Sequence, residues 1–263
     1  MSYQNIAFDL TDGIARLTLN RPDKLNSFNM AMHEEVRDAL ERTRSSGTSR
    51  VLVISGAGRG FCAGQDLGDR AVTPGSQGVD LGESIELRYK PLLLTLRKLP
   101  MPVIAAVNGV AAGAGANIAL ACDLVIAARS ASFIQSFSKL GLIPDSGGTW
   151  SLPRLVGTAR AIGLAFLGEK LSAEQAVQWG LIWRCVDDAE LVPTVDQLAQ
   201  QFASAPTRGF ARTKDAIYTS GQRTLEQQLD LERDYQRELG YSADYAEGVA
   251  AFMEKRAPKF TGR

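Results

Sequence analysis

One carboxylate, Asp145, lies between an apolar run and a Gly-Gly pair in the segment Leu140–Trp150. A lone acid beside apolar segments is poorly solvated, which suits a group that accepts a proton and returns it. The alternative is that Asp145 caps a helix predicted to begin at Gly147-Gly148, since aspartate is a favoured N-cap residue. This segment alone is compatible with both interpretations.

Two turns rich in glycine and alanine, residues 56–66 and 108–115, each follow a predicted strand. Without bulky side chains, the backbone of such a turn can approach a ligand closely. Backbone N–H groups at the start of a helix favour negative charge, and two of them converging on one carbonyl oxygen would form an oxyanion hole. The alternative is that the glycines only permit tight packing. A dinucleotide fingerprint is disfavoured, because its last glycine position holds Phe61 or Ile118.

Residue counts disfavour several other kinds of chemistry. The chain has one histidine, His33, which we expect on the surface of a helix, and three cysteines without metal-ligand spacing, Cys62, Cys122 and Cys185. Histidine-based triads and metal sites are therefore not expected. The 29 basic and 29 acidic residues balance, so neither nucleic acid nor a membrane surface is an expected partner. The absence of a long apolar run or signal-like segment, together with unpaired cysteines, predicts a cytoplasmic protein.

Strands alternate with helices along most of the chain, which predicts an α/β fold. Period-two alternation around Asp12-Gly13 predicts a hairpin from residues 6–10 and 14–19. Further strands are predicted at residues 50–54, 103–107, 124–128 and 132–136. Helices are predicted after Ser27, at residues 82–98 with a kink at Pro91, at 113–120, at 172–180 and from 188 onward. Residues 71–80 lack periodicity and are predicted to be mobile.

Several motifs resemble the crotonase (enoyl-CoA hydratase/isomerase) superfamily in their order and spacing, from about residue 5 to the C-terminus. They are Asn20-Arg-Pro-x-x-x-Asn26-Ser27, residues 56–66, Val107-Asn-Gly-x-Ala-x-Gly-Ala-Gly115, Ala121-Cys-Asp123, Ile143-Pro-Asp-x-Gly-Gly-Thr149 and Leu171-Ser-Ala-Glu-x-Ala176. More narrowly, residues 137–150, 229–237 and 255–262 resemble the branch of this family that isomerises ring 1,2-epoxyphenylacetyl-CoA.

The resemblance implies a crotonase fold. Residues 1–200 are expected to form the core, a spiral of ββα turns, and residues 201–263 a C-terminal helical region that contacts other subunits. A homo-oligomer, either a trimer or a dimer of trimers, is implied in the same way. The implied substrate is an acyl-CoA, with coenzyme A as part of the substrate and no separate cofactor.

The resemblance also assigns roles to residues of two loops. The thioester oxygen is expected to lie between the backbone N–H groups of Gln65 and Ala114. The family usually has glycine at the second position, but alanine keeps the donor. The positions expected to contact coenzyme A or the thioester are Lys24, Leu25, Ala63, Asp66, Leu67 and Gly113. The alternative for Lys24 is an ordinary surface lysine.

Departures from the family pattern decide the expected reaction. Hydratases carry two glutamates where this chain has Asn117 and Phe137, and neither of these side chains can act as a base. Asp145 stands where hydratases carry glycine. The dehalogenase branch also has an aspartate there, but with a histidine and a tryptophan that this chain lacks at the matching positions. Phe137 and Trp150 are expected to wall an aromatic acyl pocket, or alternatively to pack in the core.

A single acid can take a proton on one side of an enolate and return it at another carbon, which predicts an isomerase. The expected reaction converts the ring epoxide of phenylacetyl-CoA to the oxepin thioester. Two alternatives remain: a 3-enoyl-CoA to 2-enoyl-CoA isomerase acting on aliphatic chains, and a non-catalytic homologue that binds coenzyme A or RNA.

Overall fold

The computed structural model describes residues 3–70 and 80–263. The segment that was predicted to be mobile, residues 71–80, lies outside the described residues except for Asp80.

Ten strands are present among the described residues. They are β1 (Ile6–Thr11), β2 (Ile14–Leu19), β3 (Val51–Gly56), β4 (Gly60–Cys62), β5 (Val103–Val107), β6 (Val110–Ala112), β7 (Leu124–Ala128), β8 (Ser132–Ile134), β9 (Lys170–Ser172) and β10 (Arg184–Val186). The predicted hairpin is confirmed, because Asp12 (φ 53°) and Gly13 (φ 78°) form its turn in the left-handed conformation that two-residue hairpin turns favour. The strand predicted at residues 132–136 is shorter, since a 3-10 helix begins at Ser136.

The described residues also form eleven α-helices. They are α1 (Met30–Ser45), α2 (Leu81–Ser84), α3 (Lys90–Lys98), α4 (Ala114–Ala121), α5 (Gly148–Val156), α6 (Thr158–Leu167), α7 (Ala173–Gln178), α8 (Leu191–Ala203), α9 (Thr207–Thr219), α10 (Leu225–Gly240) and α11 (Ala243–Glu254). The long helix predicted at residues 82–98 is divided, because a π-helical segment, Ile85–Tyr89, separates α2 from α3. Pro91 has no N–H for the preceding turn, so the regular α-helical bonding pattern changes there.

The strands form two sheets. Six strands pair in the order β1-β2-β3-β5-β7-β10, and four pair in the order β4-β6-β8-β9. Three successive turns of the chain each place one strand in the larger sheet and the next in the smaller one: β3 with β4, β5 with β6, and β7 with β8. This arrangement confirms the predicted α/β spiral.

The larger sheet carries the main hydrophobic core. Strand β5 is buried along its whole length, and β3 is buried over Val51–Ile54. Parallel strands covered on both faces are expected to be continuously apolar, as these are. The predicted boundary at residue 200 falls inside α8, and the division into two domains stays a prediction.

His33 corrects one expectation. We expected it on the surface, but it is 8% exposed and lies on the inner face of α1. Its ring centre lies 4.7 Å from that of Phe28 and 4.6 Å from that of Tyr89. The sequence pattern missed this because His33 follows the buried Met32, and the apolar stripe of the helix is wide enough to include it.

Candidate active site

Two neighbouring parallel strands bring the glycine-rich turns together. In the smaller sheet, β4 pairs with β6, with Gly60 opposite Val110 and Cys62 opposite Ala111. Because parallel strands end at the same edge of a sheet, the segments that follow them must leave side by side. One segment carries Gly64-Gln65 and the other Gly113-Ala114.

Gly64 shows how closely these segments approach. A Cβ atom built on it would lie 3.2 Å from the amide nitrogen of Ala114 and 3.0 Å from the carbonyl oxygen of Ala112. Its φ of 92° is also in the region that favours glycine. In contrast, Gly115 serves packing, since a Cβ there would lie 2.2 Å from the carbonyl oxygen of Cys62. At both positions the absence of a side chain permits close packing of the two turns, and the oxyanion-hole interpretation stays a prediction.

The orientation of the Gln65 backbone follows from an isolated parallel bridge with Phe28. The amide of Phe28 donates to the carbonyl of Gly64 over 2.7 Å, and the amide of Asp66 donates to the carbonyl of Phe28 over 2.9 Å. In such a bridge the N–H of the central residue, Gln65, points away from its partner strand. Ala114 is the first residue of α4, so no carbonyl within the helix accepts its N–H. Within residues 3–70 and 80–263, neither N–H donates to another group.

The side chain of Gln65 has a structural task. Its Nε2 donates to the carbonyl of Phe28 over 3.0 Å, and its Oε1 accepts a hydrogen bond of 3.0 Å from the hydroxyl of Tyr89. Tyr89 is fully buried and ends the π-helical segment. The amide side chain thus anchors the loop and leaves the backbone N–H facing the other side.

Asp145 is half-buried in the turn that precedes α5. The hydroxyl of Ser146 donates to its Oδ1 over 2.9 Å. Its carbonyl oxygen accepts from the amide of Gly148 over 2.8 Å and from Nδ2 of Asn117 over 2.7 Å. The N-cap of α5 is Gly147, without a capping side chain, so the interpretation of Asp145 as a helix cap is wrong.

Asn117 connects Asp145 to the glycine-rich turns. It lies on the first turn of α4, three residues after Ala114, and is 2% exposed. The main chain of Asp145, the residue predicted to be the base, is therefore attached through the Asn117 side chain to the helix that begins at Ala114.

The two aromatic residues predicted to wall the acyl pocket lie in different surroundings. Phe137 is buried, and its Cζ atom would lie 3.7 Å from a Cβ built on Gly113. Trp150 is 44% exposed, and its ring lies against the guanidinium groups of Arg154, at 4.3 Å, and Arg97, at 5.2 Å. A place in an acyl pocket stays a prediction for both residues.

The residues expected to contact coenzyme A lie on two loops that pack together. Lys24 and Leu67 are exposed, whereas Leu25 and Ala63 are half-buried and are joined by a 2.9 Å hydrogen bond from the Ala63 amide to the Leu25 carbonyl. Leu25 has a left-handed conformation (φ 48°), which turns the first loop onto the second.

Asp66 ties these loops together. Its Oδ2 accepts from Arg21 over 2.9 Å, its Oδ1 accepts from the Gly68 amide over 3.0 Å, and both ionic side chains are 17% exposed. Burial raises the pKa of the Asp66 carboxyl, but the hydrogen bonds from Gly68 and Arg21 outweigh it, so the pKa lies below its usual value. Asp66 is therefore held ionised by the loop itself.

Cys62 lies next to the glycine-rich turn but is not poised as a nucleophile. Complete burial raises the pKa of its thiol to about 12, although the Gly64 amide partly opposes this shift. Its Sγ donates to the carbonyl of Asn26 over 3.1 Å. A thiol held protonated is unreactive at neutral pH.

Three buried polar residues escaped the sequence-based assignment of roles. Asn26 is fully buried, and its Nδ2 donates to the carbonyls of Ala57 and Gly60 over 2.9 and 2.8 Å. The hydroxyl of Tyr89 donates to Gln65, and Nε2 of Gln135 donates to Asn117. Asn26 could have been found from the Asn20–Ser27 motif, but no local signal distinguishes Tyr89 or Gln135 from core residues.

No helix within the described ranges is long and apolar enough to cross a membrane.

Comparisons with known proteins show what this chain is similar to. The family model described as enoyl-CoA hydratase/isomerase matches residues 9–263. The 1,2-epoxyphenylacetyl-CoA isomerase of Escherichia coli (strain K12) is 59% identical over 251 residues, which cover 95% of this chain and 96% of that protein. A protein of Rhodobacter capsulatus named "Probable enoyl-CoA hydratase" is 49% identical over 100% of both chains. The crystal structure of an enoyl-CoA hydratase from Bacillus anthracis superimposes with a TM-score of 0.92 at 35% identity, covering 99% of this chain and 100% of that one.

Proposed function

We propose that this chain, which belongs to the enoyl-CoA hydratase/isomerase family, isomerises an acyl-CoA thioester. The preferred substrate is the ring 1,2-epoxide of phenylacetyl-CoA, which rearranges to the seven-membered oxepin thioester in aerobic phenylacetate degradation. The E. coli isomerase of that name, at 59% identity, supports this substrate.

The hydrogen bond from Asn117 to the main-chain carbonyl of Asp145 is the observation on which the proposal rests. Hydration of an enoyl thioester in this family uses two glutamates, and Asn117 and Phe137 occupy their positions. Asn117 is committed to the main-chain oxygen of Asp145, and Phe137 packs beside Gly113. The carboxylate of Asp145 is then the acid that remains for proton transfer, which favours isomerisation over hydration.

The proposed mechanism uses the two backbone donors and this one acid. Asp145 takes a proton from the carbon next to the thioester carbonyl, and negative charge develops on the carbonyl oxygen. The N–H groups of Gln65 and Ala114 stabilise that charge, which is the role of an oxyanion hole. The bond between the two epoxide carbons breaks to give the seven-membered oxepin ring, and the same carboxyl group then returns the proton at another carbon. Ser146 orients the carboxylate through its hydroxyl.

The two loops that Asp66 ties together are proposed to hold coenzyme A. Lys24 and Leu67 expose their side chains beside the glycine-rich turn, as a binding surface for the nucleotide and pantetheine requires. Asp66 contributes mainly by fixing the loop, since its carboxylate is occupied by Arg21 and Gly68. Coenzyme A enters and leaves as part of the substrate.

We also propose that the chain acts as a cytoplasmic homo-oligomer, a trimer or a dimer of trimers. Helices α10 and α11 support this proposal, because they expose large apolar side chains such as Leu225 (76%), Phe252 (82%) and Met253 (76%). Apolar surface of this kind marks interfaces between proteins. Light scattering on the purified protein measures the state directly, and a monomer would contradict it.

Turnover by the wild type and by Asp145→Asn tests the proposed reaction. The wild type should isomerise the ring epoxide and hydrate crotonyl-CoA poorly. Asp145→Asn should lose about 10²–10⁴-fold in kcat, as expected when a positioned acid–base group is removed. Its affinity for phenylacetyl-CoA should remain nearly unchanged, because the loops and both N–H groups are intact.

Asp12→Asn is a matched control, since it makes the same change in the exposed hairpin turn, where asparagine suits the left-handed backbone. Its turnover should equal that of the wild type. Retention of more than about a tenth of kcat by Asp145→Asn would contradict the single-acid mechanism. Turnover of an aliphatic 3-enoyl-CoA but not of the epoxide would favour the aliphatic alternative. Binding of RNA without any turnover would favour the non-catalytic one.

A further inference from the structure

Two buried amide side chains form a short hydrogen-bonded chain that ends on the backbone of Asp145. Nε2 of Gln135 donates to Oδ1 of Asn117 over 2.9 Å, and Nδ2 of Asn117 donates to the Asp145 carbonyl over 2.7 Å. Gln135 and Asn117 are 3% and 2% exposed. We propose that Asn117 is a positioning residue for Asp145 and that Gln135 orients Asn117, an inference that rests on the proposed function.

The Asp145 carbonyl fixes the orientation of both amide groups in this hydrogen-bonded series. The Asp145 carbonyl can only accept a hydrogen bond, so Asn117 must present its NH₂ group to it. The Oδ1 atom of Asn117 then faces Gln135, which must present its own NH₂ group in turn. A carboxylate at position 117 would place one acceptor against another, and the asparagine therefore has a task that a glutamate in the same place could not perform.

Gln135 makes this contact although the other side of its amide group is unsatisfied. Its Oε1 is buried without a hydrogen-bond partner among residues 3–70 and 80–263. Burial of an unsatisfied amide oxygen is unfavourable, and such groups in native structures call for an explanation. The hydrogen bond to Asn117 gives one, because it holds the Asn117 amide in the only orientation that supports Asp145.

The turn around Asp145 needs such support. Ser146 has a φ of 48°, a conformation that is uncommon for residues other than glycine, and Gly147 follows with a φ of 76°. Strained residues of this kind persist only where their surroundings hold them, and they cluster at active sites. Two donors converge on the Asp145 carbonyl, the Gly148 amide and Asn117, and together they fix the point from which the carboxylate projects.

Packing confirms that the fit around Asn117 is close. A Cβ atom built on Gly148 would lie 2.5 Å from Nδ2 of Asn117 and 3.0 Å from Cβ of Pro144. The amide therefore fills the space between α4 and the start of α5. A shorter or apolar side chain at position 117 would leave the Asp145 carbonyl with one donor and would let the turn shift.

The test compares kcat with substrate binding in Asn117→Leu, which keeps the shape of the side chain and removes both hydrogen bonds. A shift of about 1 Å in a reacting group can cost about 10²-fold in rate, so kcat should fall by about that factor. Affinity for phenylacetyl-CoA, measured by calorimetry, should change by less than about threefold, because the donors of Gln65 and Ala114 remain. If Asn117 served only stability, Asn117→Leu protein that folds would keep both its kcat and its affinity for phenylacetyl-CoA.

Gln135→Met is the second variant, and it keeps the proposal testable if Asn117→Leu folds poorly. It should lower kcat by a smaller factor, because Asn117 keeps its donor but loses its orientation. In the double variant kcat should fall no further than in Asn117→Leu alone, since Gln135 acts only through Asn117. Independent losses that multiply in the double variant would overturn the proposed chain.

Thr43→Val is the matched control, because Thr43 is a buried residue of α1 whose hydroxyl donates to the Ala39 carbonyl over 2.8 Å, far along the chain from Asp145. It should lower the melting temperature and leave kcat unchanged. If the wild type turns over and Asp145→Asn does not, but Asn117→Leu keeps its kcat, the positioning role is wrong and the proposed function stands. If the wild type itself does not turn over, the proposed function fails.

Discussion

Gly64 and Ala114 belong to different turns of the chain, yet a side chain on the first would meet the backbone of the second. A Cβ atom on Gly64 would lie 3.2 Å from the Ala114 nitrogen, closer than van der Waals contact normally allows. Gly64 directly precedes Gln65, so the absence of a side chain there lets the segment that carries Gln65 pack against the first residue of α4. The proposed oxyanion hole thus depends on a residue that donates nothing to it.

Gly64→Ala should therefore impair catalysis. The added methyl group must push β4 and β6 apart at their ends, and the φ of 92° adds backbone strain. We expect kcat to fall by about 10²-fold, comparable to the loss of one donor. Steady-state kinetics, with circular dichroism to confirm folding, measures this. Gly47→Ala is the control, because Gly47 has a φ of 69° and nothing within 4 Å of the added atom. Equal losses of kcat in both variants would mean that backbone strain alone, and not the contact with Ala114, causes the effect.

The two donor residues should respond in opposite ways to substitution. Ala114→Pro removes the N–H at the first position of α4, where proline is tolerated, and should lower kcat by about 10²–10³-fold while the fold survives. Gln65→Ala keeps its N–H but loses the contacts to Phe28 and Tyr89, so it should lower the free energy of unfolding by about 1–3 kcal/mol and change kcat little. For both variants, steady-state kinetics measures kcat and urea unfolding measures the free energy of unfolding. Normal turnover in folded Ala114→Pro would mean that the thioester oxygen is held elsewhere.

Much of the fold could be predicted because it follows from local patterns. The hairpin, α1 and the buried strands β3, β5 and β7 each have a clear period or an apolar run, and the structure confirms them. The family motifs then identified the spiral, which strand periodicity alone would not distinguish from other α/β arrangements. Coverage of residues 9–263 by the family model agrees with that identification.

The supports of the site could not be predicted in the same way. Gln135 and Asn117 are 18 residues apart, and their hydrogen bond depends on how β8 and α4 pack. Tyr89 reaches Gln65 from a π-helical segment whose irregularity begins before Pro91. Contacts between distant segments leave no periodic signal, so sequence reasoning could propose an acid and two donors but not the residues that contact them.

Acid titration should reveal the structural task of Asp66. Its pKa is lowered in the folded protein from the usual 3.8, so its contribution to stability is fully present above that value and is lost as the pH falls through the lowered pKa. Asp66→Asn should therefore be less stable than the wild type at pH 7 and at pH 5, and the difference should shrink below about pH 4. Urea unfolding at several pH values measures it. Arg21→Met, which removes the partner, should show the same trend, whereas a difference independent of pH would contradict the role of charge.

A buried ion pair joins α9 to the core of the spiral. Nζ of Lys214 lies 2.9 Å from Oδ2 of Asp123 and donates to the carbonyl of Leu96 over 2.9 Å. The hydroxyl of Tyr218 donates to the other carboxylate oxygen, Oδ1, over 2.7 Å. The Lys214 side chain is 9% exposed, and burial lowers its pKa even though the charge of Asp123 opposes the shift. The Lys214–Asp123 pair is thus one of the contacts that attach α9 to the β5–β7 region.

Removal of the lysine charge should loosen this attachment. Lys214→Met leaves the Asp123 carboxylate buried without its cation, and loss of one partner of a buried pair typically costs about 3–5 kcal/mol. Urea unfolding should show this loss, and hydrogen exchange should increase in α9 more than in β5. Lys90→Met is the matched control, because Lys90 lies 2.8 Å from Glu86 but both side chains are more than half exposed, and such pairs contribute at most about 0.5 kcal/mol. Equal effects of the two substitutions would mean that burial does not distinguish these pairs and that Lys214 is not what holds α9 in place.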